Sequence, residues 1–205
     1  MIKKKPKSKK SKHPEIANFF FEVNTLRKLA RIHRQTLNTD DLSDNIASHS
    51  FLVAHIGYYL ALTEKVDAGK VAIMCLFHDL AEARSNDHNW VHKKYVKVFE
   101  DEIRIYQKDG APHGTLFGPI VAEYDERKTP EARIAKDADL LAQIVLLKEY
   151  SYTGNQEAGE WIGPKSVYKF TRERYFSESA YELALALRDS KPSDWWSDLW
   201  TSKNR

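Results

Sequence analysis

An all-α fold follows from three features of the chain. Apolar residues recur at mixed three- and four-residue spacings in segment after segment, which is the period of an amphipathic helix. No stretch alternates apolar and polar residues at period two, and no internal repeat is visible. A hydrophobic share of 42% over 205 residues is enough for one core and short for two, so a single compact domain is expected.

The first helix is expected over residues 14–33, where Ile16, Phe19, Phe20, Val23, Leu26, Leu29, Ala30 and Ile32 keep the helical period. Polar residues 35–45 read as a connection. The period resumes over residues 46–63 through His49, Leu52, Val53, Ile56 and Leu60. Asp67 suits the N-cap of the next helix, which carries Val71, Cys75, His78 and Glu82 along one stripe. Residues 89–107 are expected as one further helix. Residues 110–118, with three glycines and a proline, read as a loop.

A short helix is expected over 120–126. Thr129-Pro130-Glu131 then sets a hydroxyl at the cap, proline in the first turn and an acid after it. That helix should run to about residue 150. Residues 154–163 hold Gly154, Gly159 and Gly163 and read as another loop. One or two helices fill 166–188, and Trp195, Trp196 and Trp200 are expected to staple the end of the chain to the core.

The net charge of +3 hides an uneven distribution. Residues 1–12 hold seven lysines and no acid, so without them the balance becomes −4. A disordered lysine-rich tail over residues 1–13 and a mildly acidic folded unit over 14–205 are therefore expected. No aromatic residue interleaves the lysines, which argues against a nucleic-acid partner. The single cysteine, Cys75, excludes an intramolecular disulfide and a Cys-based zinc site, and makes a reducing, cytoplasmic setting the expectation. No apolar run approaches the roughly 18 residues that span a bilayer, and no apolar stretch follows the charged N-terminus as in a secretory signal. No membrane partner is expected.

The chemistry concentrates in Phe77-His78-Asp79-Leu80-Ala81-Glu82. Adjacent residues on a helix project about 100° apart, and Glu82 stands one turn above His78. Burying an imidazole and two carboxylates is costly unless something neutralises them, and a divalent cation accepts both ligand types. Taken alone, a His-Asp pair is more often a surface pair. His49 lies on the apolar stripe of its helix, where a single histidine is usually a hydrogen-bonded core residue, and His55 reads as core or exposed. Asp139 is flanked by Ala138, Leu140 and Leu141 and needs a partner if buried. Such groups could satisfy one another, or share one metal. Asp137 is the rival to Asp139, although its place beside Lys136 suggests a more exposed side.

The order Ser48-His49, His78-Asp79-x-x-Glu82 and Ala138-Asp139-x-Leu141 resembles the HD-domain superfamily of phosphohydrolases, nearest to its small 5′-deoxynucleotidase-like members. The resemblance spans roughly residues 15–190. Arg31-Ile32-His33-Arg34 resembles the arginine-bearing segment ahead of the first ligand histidine. Glu82-Ala-Arg-Ser-Asn-Asp87 resembles the acidic stretch after the motif. The resemblance implies a helical bundle with the metal at its centre and His49, His78, Asp79 and Asp139 as ligands. It implies Glu82 and Asp87 as the acids that act on water and substrate, and Arg34 as a phosphate contact beside Gln35. In the deoxynucleotidases a tryptophan follows this arginine; Gln35 is a departure that leaves the choice of sugar open.

The implied activity is metal-dependent release of phosphate from nucleoside 5′-monophosphates, with one divalent Mn, Co, Fe, Ni or Zn ion and a small-molecule nucleotide as partner. The alternatives are a phosphodiesterase, a pyro- or triphosphohydrolase, or a non-catalytic module that binds nucleic acid through the lysine tail. His88 and His92, four residues apart, are candidates for a second metal against the reading of a solvated helix start. Tyr150, Tyr152 and Trp161 could line a base pocket, with ordinary packing the competing reading. A homodimer is expected from the apolar outer stripes.

Overall fold

The computed structural model describes residues 13–111, 113–163 and 170–199; the lysine-rich stretch of residues 1–12 and Trp200 lie outside the described residues. Among the described residues there is no strand, only an isolated antiparallel bridge between Ala30 and Asn45. No described helix is long and apolar enough to cross a membrane.

The expected first helix is divided. α1 (Pro14–Thr25) opens on proline and gives way to a 3-10 turn, Leu26–Lys28. The chain then extends, because its backbone groups are paired elsewhere. Arg31 N donates to Asp44 O at 2.8 Å, and Ile46 N donates to Leu29 O at 3.0 Å. This clasp carries the chain into the single turn α2 (His33–Thr36).

α3 (Ile46–Glu64) starts in a reciprocal capping box. Ser48 N donates to Asn45 Oδ1 at 3.0 Å and Asn45 N donates to Ser48 Oγ at 3.2 Å. α4 (Ala68–Phe77) is capped by Asp67, which accepts from Lys70 N at 2.9 Å. The two helices touch at Gly57. A Cβ there would stand 2.7 Å from Cys75 Sγ and 3.1 Å from Val71, so only glycine allows this approach.

The next segments depart from expectation. After α5 (Glu82–Ser85), residues 89–107 form two helices, α6 (Trp90–Tyr95) and α7 (Glu100–Gly110), and not one. Val96 is extended at the break; β-branched Val96 and Val98 favour that geometry, while Glu100, Asp101 and Glu102 favour a fresh helix N-terminus. The expected loop at 110–118 is mostly helix, since α8 (Gly114–Glu126) contains Gly118 and Pro119. Gly114 serves a close crossing: a Cβ would lie 1.9 Å from the Lys108 carbonyl oxygen.

α9 (Pro130–Tyr152) opens at Thr129, whose hydroxyl accepts from Ala132 N at 3.3 Å. The expected loop at 154–163 is largely α10 (Gln156–Ile162), nucleated by Asn155, which accepts from Ala158 N at 2.9 Å. α11 (Glu178–Asp189) is capped by Ser177. α12 (Asp194–Ser197) is a single turn that buries none of its residues. Trp195 and Trp196 are 77% and 53% exposed, so they do not staple the end to the core. One turn is too short to turn both indoles inward.

The core gathers around α9. Ala135, Ala138, Leu141 and Ala142 are buried against Val53, Leu60 and Ala61 of α3 and against Val71, Met74 and Cys75 of α4. The small side chains of α9 let three helices meet closely, and that meeting point carries His49, His78, Asp79 and Asp139 toward one place.

Candidate metal centre

His49 is the fourth residue of α3, held in register by the Asn45 cap. His78 ends α4, and Asp79 begins the turn that follows. Asp139 projects from α9 between Ala138 and Leu140. His49 Nε2 lies 3.1 Å from Asp139 Oδ1 and 3.7 Å from Asp79 Oδ2. His78 Nε2 lies 3.1 Å from Asp79 Oδ2 and 3.9 Å from Asp139 Oδ1. Both rings are buried, and among the described residues His49, His78 and Asp79 form the one group of three or more His, Cys, Asp or Glu whose ligand atoms converge.

His78 is the clearest indicator. Its Nδ1 donates to the Cys75 carbonyl at 2.8 Å, which fixes the ring and points Nε2 toward the carboxylates. That nitrogen is buried without a properly aligned hydrogen bond. Nε2 can meet these carboxylates through a proton or through a metal ion, and a carbonyl on the other ring nitrogen is the arrangement a metal-bound histidine uses. Burial alone would push this ring toward neutrality, but the Asp79 charge beside it overrides that and raises it to about 9. A site that draws a proton so strongly also favours a metal ion. The residues present therefore fit a divalent cation with mixed N and O ligands.

The other carboxylates respond to the same field. Burial would raise Asp139, but its hydrogen bond with His49 and the Lys136 charge hold it well below the usual carboxylate range. Lys136 Nζ stands 2.6 Å from Asp139 Oδ2, and the Tyr124 hydroxyl stands 3.5 Å from that oxygen. Burial lowers His49, reinforced by the charge of Arg31.

Glu82 sits in the same cleft, whose volume is about 430 Å³. One of its oxygens is buried without a hydrogen bond. Burial, then the charges of Asp79 and Asp87, push its carboxyl up to about 10. Asp87 is buried in the cleft and accepts from Ile32 N at 2.7 Å. A larger cavity of about 610 Å³ lies between α7 and α8, sharing Ala81, Arg104 and Asp125 with the cleft and lined by none of the four predicted ligands.

The structure does not bring every expected residue together. Arg34 points to Asp40, 3.8 Å away, and Gln35 accepts from Asn89 Nδ2 at 3.0 Å; both line a neighbouring depression and not the cleft. Asp137 was expected on a more exposed side. It is wholly buried on the opposite face of α9, since two residues turn a helix by about 200°. There it accepts from Phe176 N, Ser177 N and Ser177 Oγ at 2.8–2.9 Å. His55 is exposed. His88 and His92 stack with centroids 5.7 Å apart, and His92 Nδ1 is 2.9 Å from the Asn89 side-chain oxygen. Tyr150 donates to Asp41 at 2.8 Å, Tyr152 is largely exposed, and Trp161 meets His33 edge-on.

Three residues of the site were not singled out from the sequence: Arg31, His33 and Tyr124. Arg31 donates to His49 Nδ1 and to His33 Nε2, each at 3.1 Å. Burial, then the Arg31 charge, push His33 down to about 4. The signal was present in Arg31-Ile-His33-Arg34, but sequence alone does not say which arginine turns inward.

Residues 26–177 match the HD domain family. A 5′-deoxynucleotidase of Vibrio vulnificus is 27% identical over 150 residues, covering 64% of this chain and 75% of that protein. A 5′-deoxynucleotidase of Vibrio cholerae is 26% identical over 176 residues, covering 77% and 88%. Among solved structures, a conserved hypothetical protein from Pyrococcus furiosus superposes with a TM-score of 0.65 at 25% identity, covering 82% of this chain and 98% of that one. A protein from Magnetospirillum magnetotacticum described as a predicted metal-dependent phosphohydrolase gives 0.62 at 23% identity, covering 86% and 93%, a likeness of fold.

Proposed function

The chain belongs to the HD-domain family of metal-dependent phosphohydrolases, and on that footing we propose that it releases phosphate from nucleoside 5′-monophosphates. The names of the relatives support the substrate class. The observation that carries the reading is the convergence of His49 and His78 Nε2 with the Asp79 and Asp139 carboxylates inside an open cleft, the His78 ring being held from behind by the Cys75 carbonyl.

In this reading His49, His78, Asp79 and Asp139 hold one divalent ion, with Mn, Fe, Co, Ni and Zn suited to the ligand set. That ion supplies Lewis acidity, activating water and offsetting charge that develops on phosphorus. The remaining work falls to the protein. Glu82 stands beside the cluster with a free buried oxygen and takes the proton of the attacking water. Its high proton affinity arises from burial and then from the Asp79 and Asp87 charges; a cation held at Asp79 would offset part of this and favour the carboxylate form. Asp87 is anchored by Ile32 N through one oxygen, leaving the other to accept from water and orient it, while the proton taken by Glu82 is the one available to the leaving oxygen. The burial of both histidines keeps bulk water off the ligand atoms.

The test is a phosphate-release screen over nucleoside 5′-monophosphates, cyclic nucleotides and triphosphates with Mn²⁺ or Co²⁺. Release from monophosphates is expected, with Glu82→Gln losing turnover by at least about 100-fold while retaining metal. Activity confined to cyclic nucleotides or triphosphates would replace the monoester reading, and an unimpaired Glu82→Gln would remove the role given to Glu82.

A further inference from the structure

The cavity of about 610 Å³ between α7 and α8 has no part in the proposed hydrolysis. Its size falls within the roughly 300–1,000 Å³ of small-molecule sites. Apolar side chains, Phe77, Leu80, Ile105, Phe117 and Val121 among them, make most of its wall. Phe77 and Phe117 stack there with centroids 5.0 Å apart and ring planes 19° apart.

The charges around it decide what can enter. Asp101, Asp125 and Glu126 outnumber Arg104 and Lys108 in the lining. A phosphate or carboxylate would meet that negative surplus, and like charges brought together are costly. Asp125 is paired with Arg104, and Glu126 with Lys128 at 3.2 Å, so little charge is left over for a cation either. An uncharged ligand fits best.

This space lies directly behind the metal ligands. Along the turn that ends α4, Phe77 and Leu80 line the cavity, His78, Asp79 and Glu82 line the cleft, and Ala81 lines both. One stretch of backbone thus separates the two. Gln107 of α7 borders the cavity and pins that stretch, its Nε2 donating to the Leu80 carbonyl at 3.0 Å and to Glu22 at 2.8 Å. Arg104 and Asp125 form a second shared wall.

We propose that the cavity is a separate regulatory site for an uncharged aromatic molecule, and that its occupancy steadies the His78-Asp79 turn. A flat ring offset against Phe77 and Phe117 buries apolar surface in a favoured stacking geometry. It also supports from behind a turn whose other face carries the metal-binding atoms. Ordering that turn once serves both partners, so ligand and metal strengthen each other's binding, and by the same factor. The coupling rests on the metal centre proposed above; the site itself does not.

The probe is Nile red, an uncharged planar dye, titrated by fluorescence into full-length protein with and without Mn²⁺, with metal content measured in parallel. One saturable site per chain is expected, about 5-fold or more tighter when Mn²⁺ is bound. Ile105 is 54% exposed and Ala122 is exposed, so Ile105→Asp and Ala122→Trp alter the cavity without touching the core. Each should weaken the dye at least about 10-fold at unchanged metal content. Dye binding indifferent to both substitutions belongs to another apolar surface and overturns the site. So does one-for-one displacement of the dye by inorganic phosphate or a nucleoside 5′-monophosphate, which would make the cavity part of the substrate cleft. A dye affinity unmoved by Mn²⁺, in protein shown to hold the ion, overturns the coupling. Dye binding lost in both variants of a chain that takes up no divalent ion would remove the metal centre, and the coupling with it, and uphold the site.

Discussion

Asp137 and Asp139 are two residues apart and have opposite duties, so replacing Asp137 separates stability from metal binding. Asp137 is fully buried and accepts three hydrogen bonds of 2.8–2.9 Å. Ser177, one of its donors, in turn accepts from Ala180 N at 3.2 Å and so starts α11. In Asp137→Ala these donors lose their acceptor inside the protein. Each unpaired buried donor costs about 1–3 kcal/mol. Against this stands relief of the burial that pushes the Asp137 carboxyl up. A net loss of about 3–5 kcal/mol results, within the ~5–15 kcal/mol of a typical domain. At about 2–4 °C per kcal/mol for a chain of this size, the melting temperature should fall by roughly 6–20 °C. The assay pairs thermal unfolding by circular dichroism with metal content measured well below the transition. The expected result is a large fall in Tm with metal retained. An unchanged Tm with metal lost would refute the reasoning and make Asp137 a ligand.

Gly57→Ala should destabilise by up to about 2 kcal/mol, since overpacking costs about 1–3 kcal/mol against a helix-propensity gain of ~1 kcal/mol; in a Cys75→Ala background, where the 2.7 Å contact with Sγ is gone, denaturant titration should show most of that loss recovered. Equal losses in both backgrounds would mean that Cys75 is not the obstacle. For His33, the folded value of about 4 lies below the ordinary ~6.5. The unfolded chain therefore binds the proton more readily, and the stability tied to neutral His33 is full above pH ~6.5 and lost as pH falls toward ~4. The stability advantage of wild type over His33→Asn should shrink by up to about 3 kcal/mol across that window, and parallel pH curves for the two proteins would contradict it.

Much of the fold was legible because its signals are local. Asp67 and Thr129-Pro130 announce helix starts through groups that bond their own first turns. His49, His78, Asp79 and Asp139 stood out because each interrupts an apolar stripe. What could not be read depends on distant partners. The helix expected over 14–33 is broken by the backbone of residues 44–46, a segment whose approach no local pattern encodes. Gly114, Gly118 and Gly159 suggested loops, yet they lie in helices; Gly114 is small because Lys108 crosses against it. Asp137 looked exposed beside Lys136, although α11 arrives from 40 residues away to bury it. Which of Arg31 and Arg34 turns inward was decided by that same backbone clasp, and the sequence spacing was neutral between them.

The most direct test is metal content per chain in purified wild-type protein and in single variants, measured by elemental mass spectrometry after equilibration with Mn²⁺ or Co²⁺. One ion per wild-type chain is expected, lost in His78→Ala and in Asp79→Ala and retained in Glu82→Gln. A wild-type chain that holds no divalent ion, or His78→Ala and Asp79→Ala variants that hold it as tightly as wild type, would contradict the metal centre on which the proposed hydrolysis depends.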